Sequence, residues 1–468
     1  MKRLVFCFDG TWNRLDAPCP TNVVLTAQSV SPIARDGTVQ IIHYDQGVGT
    51  AKGWKWRGGL FGQGLLDNIV DAYTFLVFNY EVGDEIFVFG FSRGAYTARS
   101  FVGLLRNVGI LRRCDAGRIT ASVQRYQYRK LDEKIDSESL LQFRLKASPL
   151  VCVDQNEDEW RQRNMPGYVS GASHILRIRY VGVWDTVGSL GIPDSLLLAP
   201  LLNRKYRFHD CALTDMVVSA RHAVSMDEKR KSFAPTLWAN VDELNASLGF
   251  DGSSERAPYQ QKWFPGVHGS VGGGGDIRGL SDCALDWILS GAREAGLQVD
   301  TDSNSRVFDL APDYLAPLEN VSDAKPSLLG ALMKVLPTAP RLPGPGHSTD
   351  VSPSAIARWR EPAERLPECA LYRPPTLSNV ANEMNSIMAR GPENKADSHS
   401  HNETPLQTSA SPAAGHYYKV VRNDTLRGLA LKAYRDASKF DLIMKANCTI
   451  LSDPDRIYIG QVLYIPEG

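Results

Sequence analysis

No Cys-x-x-Cys pair occurs in this chain. Its eight cysteines, Cys7, Cys19, Cys114, Cys152, Cys211, Cys283, Cys369 and Cys448, are scattered along it. That spacing argues against a zinc ribbon or a disulfide framework and fits synthesis in a reducing cytosol. An excess of either charge is missing too: 52 Lys and Arg balance 52 Asp and Glu. No electrostatic footprint for nucleic acid or an anionic membrane follows from that balance. Nowhere is there an uninterrupted apolar run of membrane-spanning length. The opening Met1-Lys2-Arg3-Leu4-Val5-Phe6-Cys7-Phe8-Asp9 begins like a signal peptide, but its apolar run stops after five residues at an aspartate. It reads as a buried first strand. The expectation is a protein soluble where it is made, carried by another route if it works elsewhere. Gly272 to Gly275 are not followed by Gly-Lys-Ser/Thr, which excludes a nucleotide P-loop. No metal site of recognisable spacing is present, and no cofactor is called for.

At 468 residues the chain exceeds one ordinary core, so two or three domains are expected. Strand candidates are Leu4–Phe8, Gln40–Tyr44, Glu85–Phe89, Ile175–Val183 and Lys262–Phe264, with helix candidates between them that include Leu65–Phe78 and Ala95–Leu105. Such alternation predicts an α/β layer with a mostly parallel sheet over residues 1–380. Residues 381–415 are polar and read as a flexible tether. Regular patterning returns over 416–468. Two apolar clusters, 195–202 and 328–336, read as core helices, with a mobile lid as the alternative.

Gly90-Phe91-Ser92-Arg93-Gly94 follows the apolar run Ile86-Phe87-Val88-Phe89 and precedes a helical stretch. A serine on a strained strand-to-helix turn needs small neighbours at both ends, because side chains there collide with the adjacent strand or helix. Such a nucleophile needs a base, and the base an orienting acid, in the chain order Ser, acid, His. That order leaves His174, His209, His222, His268 and His347. Of these, His268 is delivered by an apolar stretch, Trp263-Phe264-Pro265-Gly266-Val267, into a glycine-rich loop where backbone can approach a substrate. Asp185, at the end of the strand-like Ile178–Trp184, is the candidate acid; capping the following turn is its structural alternative. Asp227 is the runner-up, in a charged run that reads better as a helix face or pocket wall. An oxyanion hole calls for the Arg93 amide and a second donor from Gly10 or Thr11, although Asp9-Gly10 reads equally well as a tight turn.

Five ordered motifs carry a family resemblance: Phe8-Asp9-Gly10-Thr11-Trp12-Asn13, Gly90 to Ala95, Val183-Trp184-Asp185-Thr186-Val187-Gly188, Met226 to Phe233, and Trp263 to His268. They resemble the α/β-hydrolase domain family that includes the Tle-type lipase effectors of bacterial type VI secretion, over residues 4 to about 377. The family often has an Asp just beyond the histidine where Gly269-Ser270 stands here. Residues 416–468 resemble a LysM module through Tyr418 to Leu426, Ala446-Asn447 and Asp453 to Pro466, with Asn423 where glycine is common. The resemblance implies an α/β-hydrolase with helical insertions plus a small β-α-α-β domain. It also implies esterase chemistry on membrane phospholipids, delivery into the periplasm of a target cell, and a cognate immunity protein. For the module it implies peptidoglycan binding near Asp424, Thr425, Leu426 and Asn447, or docking on secretion machinery. Two other readings remain: a wall- or machinery-binding component with a degenerate hydrolase scaffold, and a short-chain esterase tethered to peptidoglycan.

Overall fold

A computed structural model of the chain describes residues 1–10, 13, 15–47, 60–129, 133–188, 212–251, 254–300, 309–322, 338–389, 415–420, 424–447 and 462–466. Both apolar clusters, 195–202 and 328–336, lie outside the described residues, as does Thr11. The chain divides into two compact units, Met1–Pro392 and Glu393–Gly468.

The first unit is built on six strands: β1 (Lys2–Phe8), β2 (Val39–Asp45), β3 (Glu85–Phe91), β4 (Ile178–Trp184), β5 (Ala220–Ser225) and β6 (Tyr259–Phe264). They form one sheet in the order β2-β1-β3-β4-β5-β6, and every neighbouring pair runs parallel. Parallel strands need crossovers that cover both faces, so their residues are apolar on both sides. β1 shows this residue by residue. Leu4, Phe6 and Phe8 point to one face, against Ile69, Tyr73 and Leu76 of helix α1 (Leu60–Asn79) and Ala98, Phe101 and Leu105 of helix α2 (Arg93–Val108). Val5 and Cys7 point to the other, against Leu285, Ile288 and Leu289 of helix α3 (Gly279–Glu294). A side-chain period of two on the strand produces this division.

β5 is the strand that hydrophobic patterning missed. Its sequence, Ala-Arg-His-Ala-Val-Ser, is half polar, yet all six residues are buried. The polar groups find partners. Arg221 donates to Trp287 O at 2.7 Å and pairs with Glu294 at 2.8 Å, and the His222 ring bonds Gln261 Oε1 at 2.9 Å. Satisfied hydrogen bonds remove most of the cost of placing such groups inside a sheet. Residues 381–389, assigned by sequence to the start of the tether, form a helix whose Met384 is buried with Trp359 and Val380.

In the second unit β7 (Gly415–Lys419) pairs antiparallel with β8 (Val462–Pro466). Helices Leu426–Tyr434 and Phe440–Ala446 lie between them in sequence, and Val420, Leu426, Leu429, Ile443, Leu463 and Ile465 form its core.

Candidate active site

The sheet order reverses direction between β1 and β3, and in open parallel sheets ligand sites collect at the carboxyl ends beside such a reversal. Ser92 stands there, between the end of β3 and the first turn of α2, with φ 58° and ψ −122°. Its flanking glycines are required by close approach. A Cβ on Gly94 would lie 2.2 Å from Phe8 O and 2.4 Å from Asp9 O, and one on Gly90 would lie 2.6 Å from Gly94 O. The backbone N–H of Ser92 donates to Trp184 O at 3.0 Å, tying the turn to β4.

β4 delivers Asp185, which also holds a positive φ, 38°. Only four non-glycine residues among those described have positive φ, and two of them are Ser92 and Asp185. Strain of this kind concentrates where a fold holds reactive groups in place. His268, at the start of the short helix His268–Gly272 after β6, completes a hydrogen-bonded chain. Its Nδ1 lies 2.5 Å from Asp185 Oδ2 and its Nε2 lies 2.9 Å from Ser92 Oγ. An ionised carboxylate only accepts, so Nδ1 carries the proton and Nε2 accepts from the serine hydroxyl. The ring is set between Phe91, at a centroid distance of 4.7 Å, and the edge of Phe233, at 4.8 Å. Ser92 and His268 are 6% and 7% exposed, while Asp185 is fully buried.

Burial works to raise the Asp185 carboxyl pKa, but the Arg341 guanidinium and the His268 contact overcome it and hold the group well below the usual carboxylate range. Arg341 spans the carboxylate, with Nη1 at 2.5 Å from Oδ1 and Nη2 at 3.0 Å from Oδ2. Sequence reading missed this residue, whose partner is 156 positions away; no local motif marks it. The Ser225 amide, at the end of β5, donates to Oδ1 at 2.9 Å. Behind the carboxylate His222 accepts from Thr186 N at 3.2 Å. Burial, with the nearby Arg99 charge, pushes its pKa down to about 3.

Asp227, the runner-up acid, sits elsewhere. Its Oδ2 accepts from Gly266 N and from Tyr372 OH, each at 2.7 Å, so it anchors the loop that leads to His268. The Met226-to-Phe233 motif thus frames the histidine, since Glu228 also accepts from His268 N at 3.3 Å. Of the other candidate histidines, His174 is exposed, His347 caps a short helical turn, and His209 lies outside the described residues.

One sequence reading needs correction. Gly10 stands against Ser92, its Cβ position 3.3 Å from the serine Cβ, but its amide donates to Asp9 Oδ1 at 2.7 Å. That bond takes up the proton which an oxyanion hole would require from Gly10. Asp9 itself is fixed by Thr21 at 2.7 Å and Tyr44 at 2.9 Å. Two glycines of the run are required by internal packing: a Cβ on Gly272 would fall 1.9 Å from the Phe91 ring, and one on Gly275 would fall 2.0 Å from Asn320 O. Arg93 opens α2 directly after Ser92.

In the second unit the four residues assigned to a glycan groove serve its own fold. Asp424 accepts from Tyr418 OH at 3.0 Å and Lys432 Nζ at 2.9 Å, and Thr425 Oγ1 caps the helix that begins at Leu426. Leu426 is in the core, and buried Asn447 donates to Ile443 O at 2.7 Å.

Comparison with known proteins places both units. Residues 418–466 match the LysM domain family. An uncharacterized protein of Saccharomyces cerevisiae is 27% identical over 248 residues, covering 50% of this chain and 32% of that protein. The potassium binding protein Kbp of Escherichia coli is 39% identical over 62 residues, 13% of this chain and 42% of that one. The chain therefore spans less than half the length of either relative. Among solved structures, an uncharacterized protein from Pseudomonas aeruginosa aligns with TM-score 0.36 and 18% identity, over 67% of this chain and 49% of that one. The Tle1 effector bound to the VgrG spike of the type VI secretion system aligns with TM-score 0.37 and 14% identity, over 67% and 77%. Residues 2–291, more than half of the chain, match the catalytic domain of Tle1-like phospholipase effectors of type VI secretion, and the chain belongs to that family.

Proposed function

We propose that this chain is a serine phospholipase that hydrolyses acyl esters of membrane phospholipids. The observation that carries this reading is the Ser92–His268–Asp185 chain, with its 2.9 and 2.5 Å contacts, at the carboxyl edge of the sheet. His268 Nε2 takes the proton from Ser92 Oγ as that oxygen attacks the ester carbonyl, and Asp185 stabilises the imidazolium that forms. Charge builds on the carbonyl oxygen, where the Arg93 amide is the donor this reading assigns, with Thr11 as the second. Collapse expels the lysolipid alkoxide, which takes the proton from His268. Water, deprotonated by the same nitrogen, then releases the fatty acid and restores Ser92.

Family membership supports the wider setting: export by a type VI apparatus, action in the periplasm of a target cell, and protection of the producer by an immunity protein. The LysM match supports binding rather than chemistry in the second unit, with peptidoglycan or the secretion machinery as its target. Fatty-acid release from mixed phospholipid vesicles tests the enzymatic reading. Wild type releases fatty acid and a folded Ser92→Ala does not. Strict preference for short-chain soluble esters would replace the lipase with a small-ester hydrolase, and no release from either protein would leave a binding scaffold.

A further inference from the structure

Arg341 reaches the site from a segment remote in sequence. Ala339 N donates to Lys229 O at 2.8 Å, and Thr338 bridges antiparallel to Arg230, so the segment that leads to Arg341 is fixed against Lys229 and Arg230. The pairing aims Arg341 at Asp185, where the side chain is 4% exposed. Besides both carboxylate oxygens, its guanidinium donates to Ser225 O at 2.8 Å and Phe233 O at 2.5 Å. Four directed bonds from one planar group fix the carboxylate plane, which a lysine's single ammonium does not do. Phe233 is also the ring whose edge meets His268.

We propose that Arg341 is a positioning residue of the hydrolytic centre: it locks the Asp185 carboxylate in the plane that presents Oδ2 to His268. The proposal rests on the serine-hydrolase reading above. A carboxylate can turn about its Cβ–Cγ bond; a guanidinium across both oxygens removes that freedom and keeps Oδ2 on the imidazole Nδ1. Other ionisable groups near the pair among the described residues include Glu228 and Arg230, paired with each other at 2.6 Å, and buried His222 with Arg99 beside it. None of them forks the carboxylate.

The experiment follows two readouts from pH 5 to 9: ester hydrolysis, and the rate at which a fluorophosphonate probe labels Ser92. Arg341→Gln is expected to lower the plateau of kcat/KM about 100-fold through loss of alignment. Arg341→Lys, which keeps the charge but not the planar fork, does not restore the plateau. A folded Arg341→Gln with an unchanged plateau overturns the proposal. The Asp185→Asn background, which carries no buried negative charge, separates positioning from packing and also serves should Arg341→Gln not fold by itself. There Arg341→Gln changes the labelling rate less than about threefold if Arg341 acts through Asp185. A larger fall there overturns the proposal. Wild type with no Ser92-dependent reactivity in either readout overturns the hydrolase reading together with it, whereas an active wild type beside indifferent Arg341 variants overturns this proposal alone.

Discussion

Two carboxylates at the carboxyl ends of sheet strands stand in opposite electrostatic states. Asp185 is kept ionised by Arg341 despite complete burial. Asp45, at the end of β2, is pushed up to about 8 by burial and by the charges of Asp71 and Asp9. The sign of its effect on stability follows from linkage. Unfolded, Asp45 loses its proton near pH 4; folded, it keeps it to about pH 8, so the unfolded state binds fewer protons between those values. Stability contributed by proton retention is therefore fully present below about pH 4 and lost as pH rises to about 8. Urea unfolding of Asp45→Asn across pH 5 to 9 is expected to show a shallower decline than wild type, with the two slopes converging above pH 8. Equal slopes throughout would mean that Asp45 ionises normally in the fold.

Elements set the site by bringing loop ends together. The β6-to-His268 loop is held at Gly266 by Asp227, and Asp227 is held by Tyr372. Tyr372→Phe removes one hydrogen bond to a buried carboxylate and is expected to cost about 1–3 kcal/mol of stability. Turnover falls with it while Ser92 is untouched; denaturant unfolding and vesicle hydrolysis on the same preparation check both. Unchanged turnover would mean that the loop holds itself. The β3–Ser92–α2 turn was legible in the sequence because its geometry is local: five residues encode a clash pattern that only small side chains survive. The same holds for Asp185, announced by the apolar strand that ends at Trp184, and for His268, announced by the stretch Trp263 to Val267. β5 was hidden because its buried polar residues are satisfied by groups on α3 and β6, which no pattern within the strand records. Arg341 was hidden for the same reason at longer range. The Gly10 amide was misread because its acceptor, the neighbouring Asp9 side chain, is decided by the rotamer and not by the residue type.

At the scale of the whole molecule, the proposed chemistry falls in Met1–Pro392 and the LysM match in Glu393–Gly468. The two units have separate cores, so a protein of residues 1–392 is expected to hydrolyse a soluble ester within about twofold of the full chain, since no residue of the proposed mechanism lies beyond it. Sedimentation with peptidoglycan is expected to be lost from that shortened protein if the LysM unit binds the wall. A large fall in soluble-ester turnover would instead tie the second unit to the chemistry. The central claim is that Ser92 is a nucleophile activated by His268. Mass spectrometry of the fluorophosphonate-treated full-length protein tests it most directly. The account predicts one adduct, on the peptide containing Ser92, formed at least about 100-fold more slowly in a folded His268→Ala variant. An adduct on another residue, or equal labelling without His268, would contradict it.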